Sequence, residues 1–456
     1  MLGLNGKEEN LDQAVIRAAT MIEDGEVEAA KIAKSVLVID EAQDMGKDDF
    51  RLVEALMSRN EEMRVIAVGD DDQNIYQFRG SDSAHLRTLV ERHNARLYLM
   101  TENYRSCPAI VDFANRFATL IPCRMKQAPI EAVTTTEGTV EVVKLSTNCI
   151  PALPDIPTEG SCAFLTYTND QAMQMAYLLE RNGHHARLIQ QTDGFFFSNL
   201  AEVRYFLSQL PTDAVILTEE RWKEAKRLTL EYFDSSQWLE RFFADFESTH
   251  RTYYRSDLDE YIYESSIEDF LTDNGNTILV STIHKAKGRE FDSVFILATN
   301  IGDLKPEKLR MLYVGITRAK RNLHIYTDLT LFDGITSKGQ VTIATRQFQA
   351  DGLPIAMSLK LSDVWLDFAK DKQSFIQRLR SGKELYYRQG FLIDYSNMYV
   401  ASLSKSCRDK VAQLEAKGYT VAKAEVSFIV FWKPQTENRE YAIPLANLYF
   451  EPQQQK

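Results

Sequence analysis

The sequence predicts an α/β fold with mainly parallel sheets, followed by a small C-terminal α+β module. Helical patterns alternate with short apolar runs through the first three quarters of the 456 residues, and this alternation is typical of parallel sheets. Polar residues follow most of the apolar runs, at the sheet edge where open α/β folds bind ligands. From about residue 346 the alternation stops, and two hairpin-like stretches flank a single helix.

Each element is predicted from its own pattern. The first is an amphipathic helix over 11–34, which Gly25 interrupts. Short apolar runs then predict strands at 36–39, 65–68, 97–100, 277–280, 293–297 and 322–326. Between about 206 and 275 the β pattern lapses, and we expect a helical insertion. In the tail we expect hairpins at 384–400 and 421–449 around a helix near 403–417.

Length and composition exclude several classes of protein. At 456 residues we expect roughly two to four domains, and 44% hydrophobic with 26% charged residues is typical of a globular chain. The sequence has no run of about 18 apolar residues, so we expect no membrane span. The first twenty residues contain no apolar stretch of the kind found in a signal peptide, so we expect none. Its five cysteines form no CxxC pair. This argues against a disulfide scaffold or zinc ribbon and favours a cytoplasmic localisation.

The charge is unevenly distributed along the chain. A net charge of −12, taken alone, argues against nucleic-acid binding. Residues 356–456 differ, because they carry 15 Lys and Arg against 11 Asp and Glu, or +4. This basic tail indicates either DNA contact or no particular function.

The first motif that indicates chemistry is a predicted strand that ends in two carboxylates, VLVIDEAQD at 36–44. Nucleotide hydrolases hold Mg²⁺ beside a phosphate chain with such a pair. Asp40 would bind Mg²⁺, and Glu41 would orient and deprotonate the attacking water. An apolar strand that ends in Asp-Glu also arises by chance, so this motif alone leaves both interpretations open.

The second motif, GDDDQNIYQFRGS at 69–81, carries three successive aspartates. Such a run is unfavourable unless the carboxylates are capped, solvated or close to cations. The segment resembles motif III of superfamily 1A helicases, the UvrD/Rep/PcrA family, and 36–44 then resembles motif II. Segments 102–106, 281–291 and 312–320 resemble motifs IV, V and VI, in the family's order. The resemblance covers about the first three quarters of the chain.

The resemblance implies two RecA-like parallel-sheet domains with ATP in the cleft between them. We expect a truncated first domain at 1–120 with motifs II, III and IV, and a second at 121–345 with motifs V and VI. The helical insertion at about 206–275 would correspond to a short 2B subdomain. Residues 346–456 would form the basic α+β module, which resembles the end of long bacterial proteins that fuse RecQ-like and UvrD-like helicase regions.

The resemblance also implies roles for individual residues in the binding of ATP and Mg²⁺. Asp40 and Glu41 would form the metal site, and Gln73 would sense the γ-phosphate. Fixed guanidinium charges stabilise a transferring phosphoryl group, and the family places two such arginines at the γ-phosphate. Arg105 and Arg318 would reach the γ-phosphate, Tyr104 would stack on the adenine, and Glu290 would accept from the ribose hydroxyls. Arg79 would bridge toward the nucleotide, and Gly288 of motif V would lie beside the nucleotide.

Single-stranded DNA, or a junction of single and double strands, is the expected partner. Tyr76 and Phe78 lie where the family places base-stacking aromatics, which bind bases without sequence preference. Thr282 and His284 would lie near the DNA backbone. Tyr76 could instead be a core residue and His284 a structural histidine. Lys285, Lys287, Lys320 and Arg321 could be ordinary surface charges.

The main departure from the family is the missing phosphate-binding loop. The pattern G-x-x-x-x-G-K-[ST] occurs nowhere in the chain, because Lys7, Lys47 and Lys383 each follow a glycine but precede an acidic residue. Three explanations stay open. The chain could be the C-terminal portion of a longer helicase, half of a split enzyme whose partner chain supplies the loop, or a degenerate core kept for binding.

Two functions follow from this pattern. The leading one is an ATP-dependent 3′→5′ DNA helicase or translocase, with the activity of this chain by itself left open by the missing loop. The alternative is a non-catalytic module, derived from a helicase core, that binds nucleic acid or a partner.

Overall fold

The computed structural model of the chain describes residues 11–77, 80–147, 149–152, 156, 160–184, 186–188, 195–212, 214–233, 237–265, 267–270, 278–337, 339–349, 353–434 and 436–452. The chain forms two compact units. The first comprises Met1–Thr147 and Ala286–Thr345, and the second comprises Asn148–Lys285 and Arg346–Lys456. The domain boundaries expected at residues 120 and 345 stay predictions.

The helices and strands of the described residues follow in chain order. The helices are α1 (Leu11–Glu23), α2 (Ala29–Ile32), α3 (Lys47–Arg59), α4 (Ala84–Arg92), α5 (Pro108–Ala118), α6 (Asn169–Arg181), α7 (Ala201–Ser208), α8 (Glu219–Tyr232), α9 (Gln237–Thr249), α10 (Arg255–Glu264), α11 (Ile267–Phe270), α12 (Pro306–Ile316), α13 (Gln373–Ile376) and α14 (Lys405–Ala416). The strands are β1 (Val36–Ile39), β2 (Arg64–Ala67), β3 (Glu102–Asn103), β4 (Glu131–Ala132), β5 (Thr139–Lys144), β6 (Cys149–Pro151), β7 (Cys162–Thr166), β8 (Ala186–Leu188), β9 (Ile216–Leu217), β10 (Tyr253–Tyr254), β11 (Ile278–Thr282), β12 (Phe291–Ala298), β13 (Ala319–Thr327), β14 (Val341–Ile343), β15 (Gln347–Gln349), β16 (Ile355–Ser358), β17 (Glu384–Arg388), β18 (Phe391–Ile393), β19 (Tyr399–Ser402), β20 (Tyr419–Trp432) and β21 (Tyr441–Pro452).

In the first unit, β1 and β2 form a parallel pair. Successive side chains of a strand point to opposite faces, and the two faces of this pair differ. Leu37 and Ile39 pack on a buried cluster that includes Phe50 of α3. On the other face, Val36 and Val38 are 49% and 62% exposed. The pair therefore presents an uncovered apolar face.

The first unit also contains four parallel strands in the order β14-β5-β13-β12. β12 is buried over nearly its whole length, and the adjoining helix α12 is buried from Leu309 to Ile316. Only Thr317 and Arg318 separate α12 from β13. This short connection fixes the position of Arg318.

The second unit combines parallel and antiparallel strands. β7 and β8 flank β11 in parallel, and α7–α11 build an aromatic core around Trp222, Phe206 and Phe243. The C-terminal part forms a six-stranded sheet in the order β16-β21-β20-β17-β18-β19, which is antiparallel throughout. Its buried residues belong to the same core as those of the helices.

These elements confirm the predicted α/β class with a C-terminal α+β module. The expected insertion is helical, apart from the short antiparallel pair β9–β10. α1 ends at Glu23, before Gly25 adopts a positive φ of +74°. Among the described residues, no helix has the length and apolar character needed to cross a membrane.

The predicted strand at 97–100 is wrong. These residues form no strand, and Leu97, Tyr98, Leu99 and Met100 are all about half exposed or more. Backbone pairing begins instead at β3, which runs parallel to β4. A strand needs a neighbour for its amide and carbonyl groups, and the apolar run has none within the described part of the chain.

Candidate nucleotide site

The acidic pair of motif II follows β1 directly. The amide of Glu41 donates a hydrogen bond of 2.8 Å to Oδ1 of Asp40. Glu41 itself has a left-handed φ of 48°, a conformation that is uncommon for a residue with a side chain. Both side chains are exposed at the carboxyl end of the strand, the edge where ligands bind in such sheets.

Gln43 joins the ends of the two strands. Its side-chain nitrogen donates to Oε2 of Glu41 at 2.5 Å, and its Oε1 accepts from the amide of Asp70 at 3.0 Å. Its backbone carbonyl accepts from the side chain of Asn74 at 2.7 Å. Since Gln43 is buried, motifs II and III are fixed relative to each other by one interior amide.

The three aspartates of motif III have separate partners. Asp70 accepts from the side chain of Gln73 at 2.9 Å, and Asp71 accepts from the amide of Met125 at 2.8 Å. Asp72 is fully buried and forms a 2.7 Å ion pair with Arg124. Burial raises the pKa of Asp72, and the Arg124 guanidinium opposes that increase. The predicted need for capping and cations is thus met in part, because Oδ1 of Asp72 is buried without a hydrogen-bond partner among the described residues.

Arg318 of motif VI is a buried cation beside Gln73. Its Nη2 donates to Oε1 of Gln73 at 2.9 Å, while its Nε and Nη1 donate to the carbonyls of Val314 and Arg289. Burial lowers the pKa of Arg318 to about 10. The guanidinium therefore stays protonated at neutral pH, and the unit holds a fixed positive charge against the predicted γ-phosphate sensor.

Lys287 connects motif V to motifs II and III, a role that the sequence did not reveal. Its side chain is only 7% exposed. The ammonium donates to a carboxylate oxygen of Asp44 and to the Gln73 carbonyl at 3.1 Å, and it lies 3.5 Å from Oε2 of Glu41. Burial raises the pKa of Asp44, which Lys287 counteracts. The sequence signal that could have identified Lys287 was its place in motif V, one residue before Gly288, whose φ is +82°.

Arg105 of motif IV pairs with Glu290 of motif V. The Nε of Arg105 donates to Glu290 at 2.5 Å, and Lys320 binds the other carboxylate oxygen at 2.6 Å. Lys320 first, and Arg105 second, hold the pKa of Glu290 below its usual value. Tyr104 is 71% exposed, and its hydroxyl donates to Glu102. Its ring face is therefore accessible to a planar ligand.

The residues predicted to contact DNA fall in different places. Tyr76 is half-buried in the first unit, with the Lys287 ammonium 5.1 Å from its ring centroid. Thr282 is buried and His284 is half-buried, and both belong to the second unit. Phe78 and Arg79 lie outside the described residues. The roles assigned to the individual site residues stay predictions.

Sequence reasoning also missed two arginines of the first unit whose side chains are largely buried. Arg124 neutralises Asp72, as described above. Arg310 is buried within α12 and donates to the Asp71 carbonyl at 3.2 Å and to the Pro122 carbonyl at 3.5 Å. The only signal for Arg310 was a charged residue inside an otherwise apolar helix.

Comparison with known proteins identifies two helicase regions. The UvrD/REP helicase N-terminal domain matches residues 7–94, and the UvrD-like helicase C-terminal domain matches residues 277–326. The Gabija protein GajB of Bacillus cereus (strain VD045) is 23% identical, over 64% of this chain and 63% of the relative. A probable DNA helicase II homolog of Mycoplasma genitalium is 21% identical, over 75% of this chain and 62% of the relative.

Shorter matches reach higher identity. The ATP-dependent DNA helicase PcrA of Bacillus subtilis (strain 168) is 37% identical, over 17% of this chain and 10% of the relative. The chain thus spans less than two thirds of the length of each of these relatives. The chain therefore carries regions similar to the N-terminal and C-terminal domains of UvrD-like helicases, and the relatives it matches include helicases of the UvrD/Rep/PcrA type.

Proposed function

We propose that the chain is the motor portion of an ATP-dependent DNA helicase or translocase that moves 3′→5′ on single-stranded DNA. The observation that carries this proposal is the buried contact between Arg318 and Gln73, which lies beside the Lys287–Asp44 pair. A protein freed from ATP hydrolysis would have no physical need to keep Arg105, Arg318 and the Asp40–Glu41 pair together.

The residues of the first unit fit Mg²⁺ and ATP. Asp40 and Glu41 present exposed carboxylate oxygens at a strand end, and oxygen ligands are those that Mg²⁺ prefers. Asp44 has a buried Oδ1 without a hydrogen-bond partner among the described residues. Bound Mg²⁺ would neutralise charge that develops on the phosphates.

The side chains then have separable tasks. Glu41 would orient a water molecule and accept its proton. Arg318 and Arg105 would stabilise negative charge on the transferred phosphoryl group, an effect of about three to five orders of magnitude where an arginine has this role. Arg105 would have to exchange Glu290 for the phosphate, which would free the Glu290 carboxylate to accept from the ribose hydroxyls. Tyr104 would stack on the adenine.

A continuous set of contacts supports coupling between ATP and DNA. Arg318 contacts the Gln73 side chain, and the Gln73 carbonyl accepts from Lys287. The Lys287 ammonium also lies over the ring of Tyr76, the aromatic expected to stack on a base. A change in how Arg318 is bonded would thus reach Tyr76 through two residues.

A phosphate-binding loop from elsewhere would complete the site. Parallel sheets are normally covered on both faces, yet one face of the β1–β2 pair leaves Val36, Val38 and Ile66 exposed. We infer that a strand–loop–helix segment covers this face and supplies the lysine that the family uses. It would come from another part of a longer protein or from a partner chain.

The test is ATP hydrolysis by the protein at its natural length, together with any chain that copurifies with it. We expect turnover that single-stranded DNA stimulates, and unwinding of duplexes with a 3′ tail in preference to those with a 5′ tail. Unwinding of only 5′-tailed duplexes would contradict the direction. DNA binding that is salt-sensitive and indifferent to ATP, with no hydrolysis, would favour the non-catalytic alternative.

A further inference from the structure

An aromatic strip crosses the surface of the C-terminal module, far along the chain from the helicase motifs. It consists of Trp365, Phe368, Phe391 and Tyr399, whose successive ring centroids are 6.1, 5.8 and 5.3 Å apart. Trp365 at one end is 55% exposed, and Tyr399 at the other is 38% exposed. Large aromatics are usually placed inside a fold, so a row of them that reaches the surface at both ends suggests a ligand.

The backbone holds Trp365 in place. Its amide donates to the Ser402 carbonyl at 2.7 Å, and the preceding Val364 forms a bridge with Leu403. The indole is therefore carried on backbone that is tied to β19. A rigid platform loses less conformational entropy when a planar ligand stacks on it.

A cavity of about 530 Å³ lies next to Trp365, and its lining includes Trp432, Lys405 and Arg408. The Arg408 side chain donates to the Leu403 carbonyl and the Ser402 hydroxyl, and its guanidinium lies 5.0 Å from the centroid of the Phe391 ring. The two cations thus flank a concave, partly aromatic surface.

Three cations without an ion-pair partner among the described residues lie beside the strip. Lys405 and Arg408 make no ion pair within the described residues, and neither does Lys372, which lies 5.9 Å from the Phe368 ring. The acidic residue of the cavity lining, Asp367, is paired at 2.7 Å with Lys370, which also pairs with Glu437 at 2.6 Å. Negative ligand charge would therefore meet unneutralised cations.

We infer that this strip is a second binding site for single-stranded nucleic acid, separate from the helicase motifs. Exposed ring faces next to unpaired cations are what stacked bases and their phosphates require. Bases within a duplex are stacked on each other, so the site should prefer single strands. It should also bind without strong sequence preference, because every base offers a π-face.

The experiment follows intrinsic tryptophan fluorescence while the full chain is titrated with an oligothymidine, without nucleotide. Of the four tryptophans, Trp222 and Trp238 are buried and Trp432 is half-buried in the cavity lining, so stacking should quench mainly the exposed Trp365. We expect quenching that Trp365→Phe largely abolishes, and binding about five-fold weaker or more in Trp365→Ala. Tyr263→Phe, at an aromatic that is 75% exposed on α10, should leave the quenching unchanged.

A charge variant tests the phosphate contact separately. Lys405→Ala should make the plot of log affinity against log salt less steep by about 0.7. Lys405 is the first residue of α14, and Lys417 is an exposed lysine just beyond the C-terminal end of that helix. Lys417→Ala is therefore the matched control and should leave the slope unchanged.

Three outcomes would overturn the inference. The first is quenching that Trp365→Phe leaves intact, and the second is equal affinity for duplex and single strand. The third is binding of heparin as tight as that of the oligothymidine and no quenching by either, which would indicate attraction of polyanions without base stacking. The assay contains no ATP, so its result does not depend on whether the proposed nucleotide site is correct.

Discussion

Replacing Lys287 with methionine should destabilise the first unit markedly, although the sequence alone also allows Lys287 to be an ordinary surface charge. The substitution keeps the length of the side chain and removes the ammonium. Asp44 would then lose the donor to one carboxylate oxygen, while its other oxygen already lacks a partner among the described residues. The Gln73 carbonyl would lose a donor as well.

The magnitude follows from burial. Breaking a fully buried ion pair costs about 3–5 kcal/mol. Asp44 keeps 23% exposure and can take up a proton, so we expect a loss of about 2 kcal/mol in the free energy of unfolding at pH 7. The matched control is Lys320→Met, which removes the more exposed pair with Glu290 and should cost less than about 1 kcal/mol.

Urea unfolding followed by circular dichroism measures both values, with the two units free to unfold in separate transitions. In Lys287→Met the pKa of Asp44 should rise further above its unfolded value. The penalty should therefore be full above that pKa and shrink as the pH falls through it. Adding Asp44→Asn to Lys287→Met should recover about 1 kcal/mol. Equal losses for Lys287→Met and Lys320→Met would refute the reasoning.

Two other predictions concern packing and a buried acid. Gly138→Ala would place a methyl group against the Arg321 carbonyl and the Cys107 sulfur, so the free energy of unfolding should fall by about 3 kcal/mol. Gly334→Ala, whose methyl group meets open space, is the control. Equal stability of the two variants would contradict the account. Burial raises the pKa of Glu202, whose Oε2 has no partner among the described residues, so its ionised form weakens the fold above that pKa. Glu202→Gln should therefore stabilise the protein by about 1 kcal/mol at pH 8, and thermal unfolding should show the gain fading toward pH 4; a gain that is independent of pH would count against this interpretation.

The sequence predicted most elements because their signals are local. The hairpins of the C-terminal module and the helix α14 lie close to their predicted positions. Turns and the alternation of apolar and polar residues depend on residues that are neighbours in the chain. The run at 97–100 has an equally apolar pattern but no strand beside it. Strand pairing requires two segments, so the apolar pattern of one segment was insufficient to predict a strand.

The candidate site also contains some residues that the sequence predicted and some that it did not. Gln73 and Arg318 were predicted from motifs and lie in contact. Lys287 and Arg124 were not, because their importance depends on partners 243 and 52 positions away in the chain. Burial decides whether a lysine or arginine is a surface charge or an internal one, and the residues next to it in sequence do not reveal that burial.

The most direct test of the proposed motor is the turnover of Arg318→Ala in the natural-length protein, measured with single-stranded DNA at saturating ATP. We expect kcat to fall about a thousand-fold or more, while binding of a fluorescent ATP analogue changes little. Arg321→Ala, three residues along the chain and 61% exposed in its side chain, should keep nearly full turnover. Unchanged kcat in Arg318→Ala would contradict the account, because the buried guanidinium beside Gln73 would then have no part in hydrolysis.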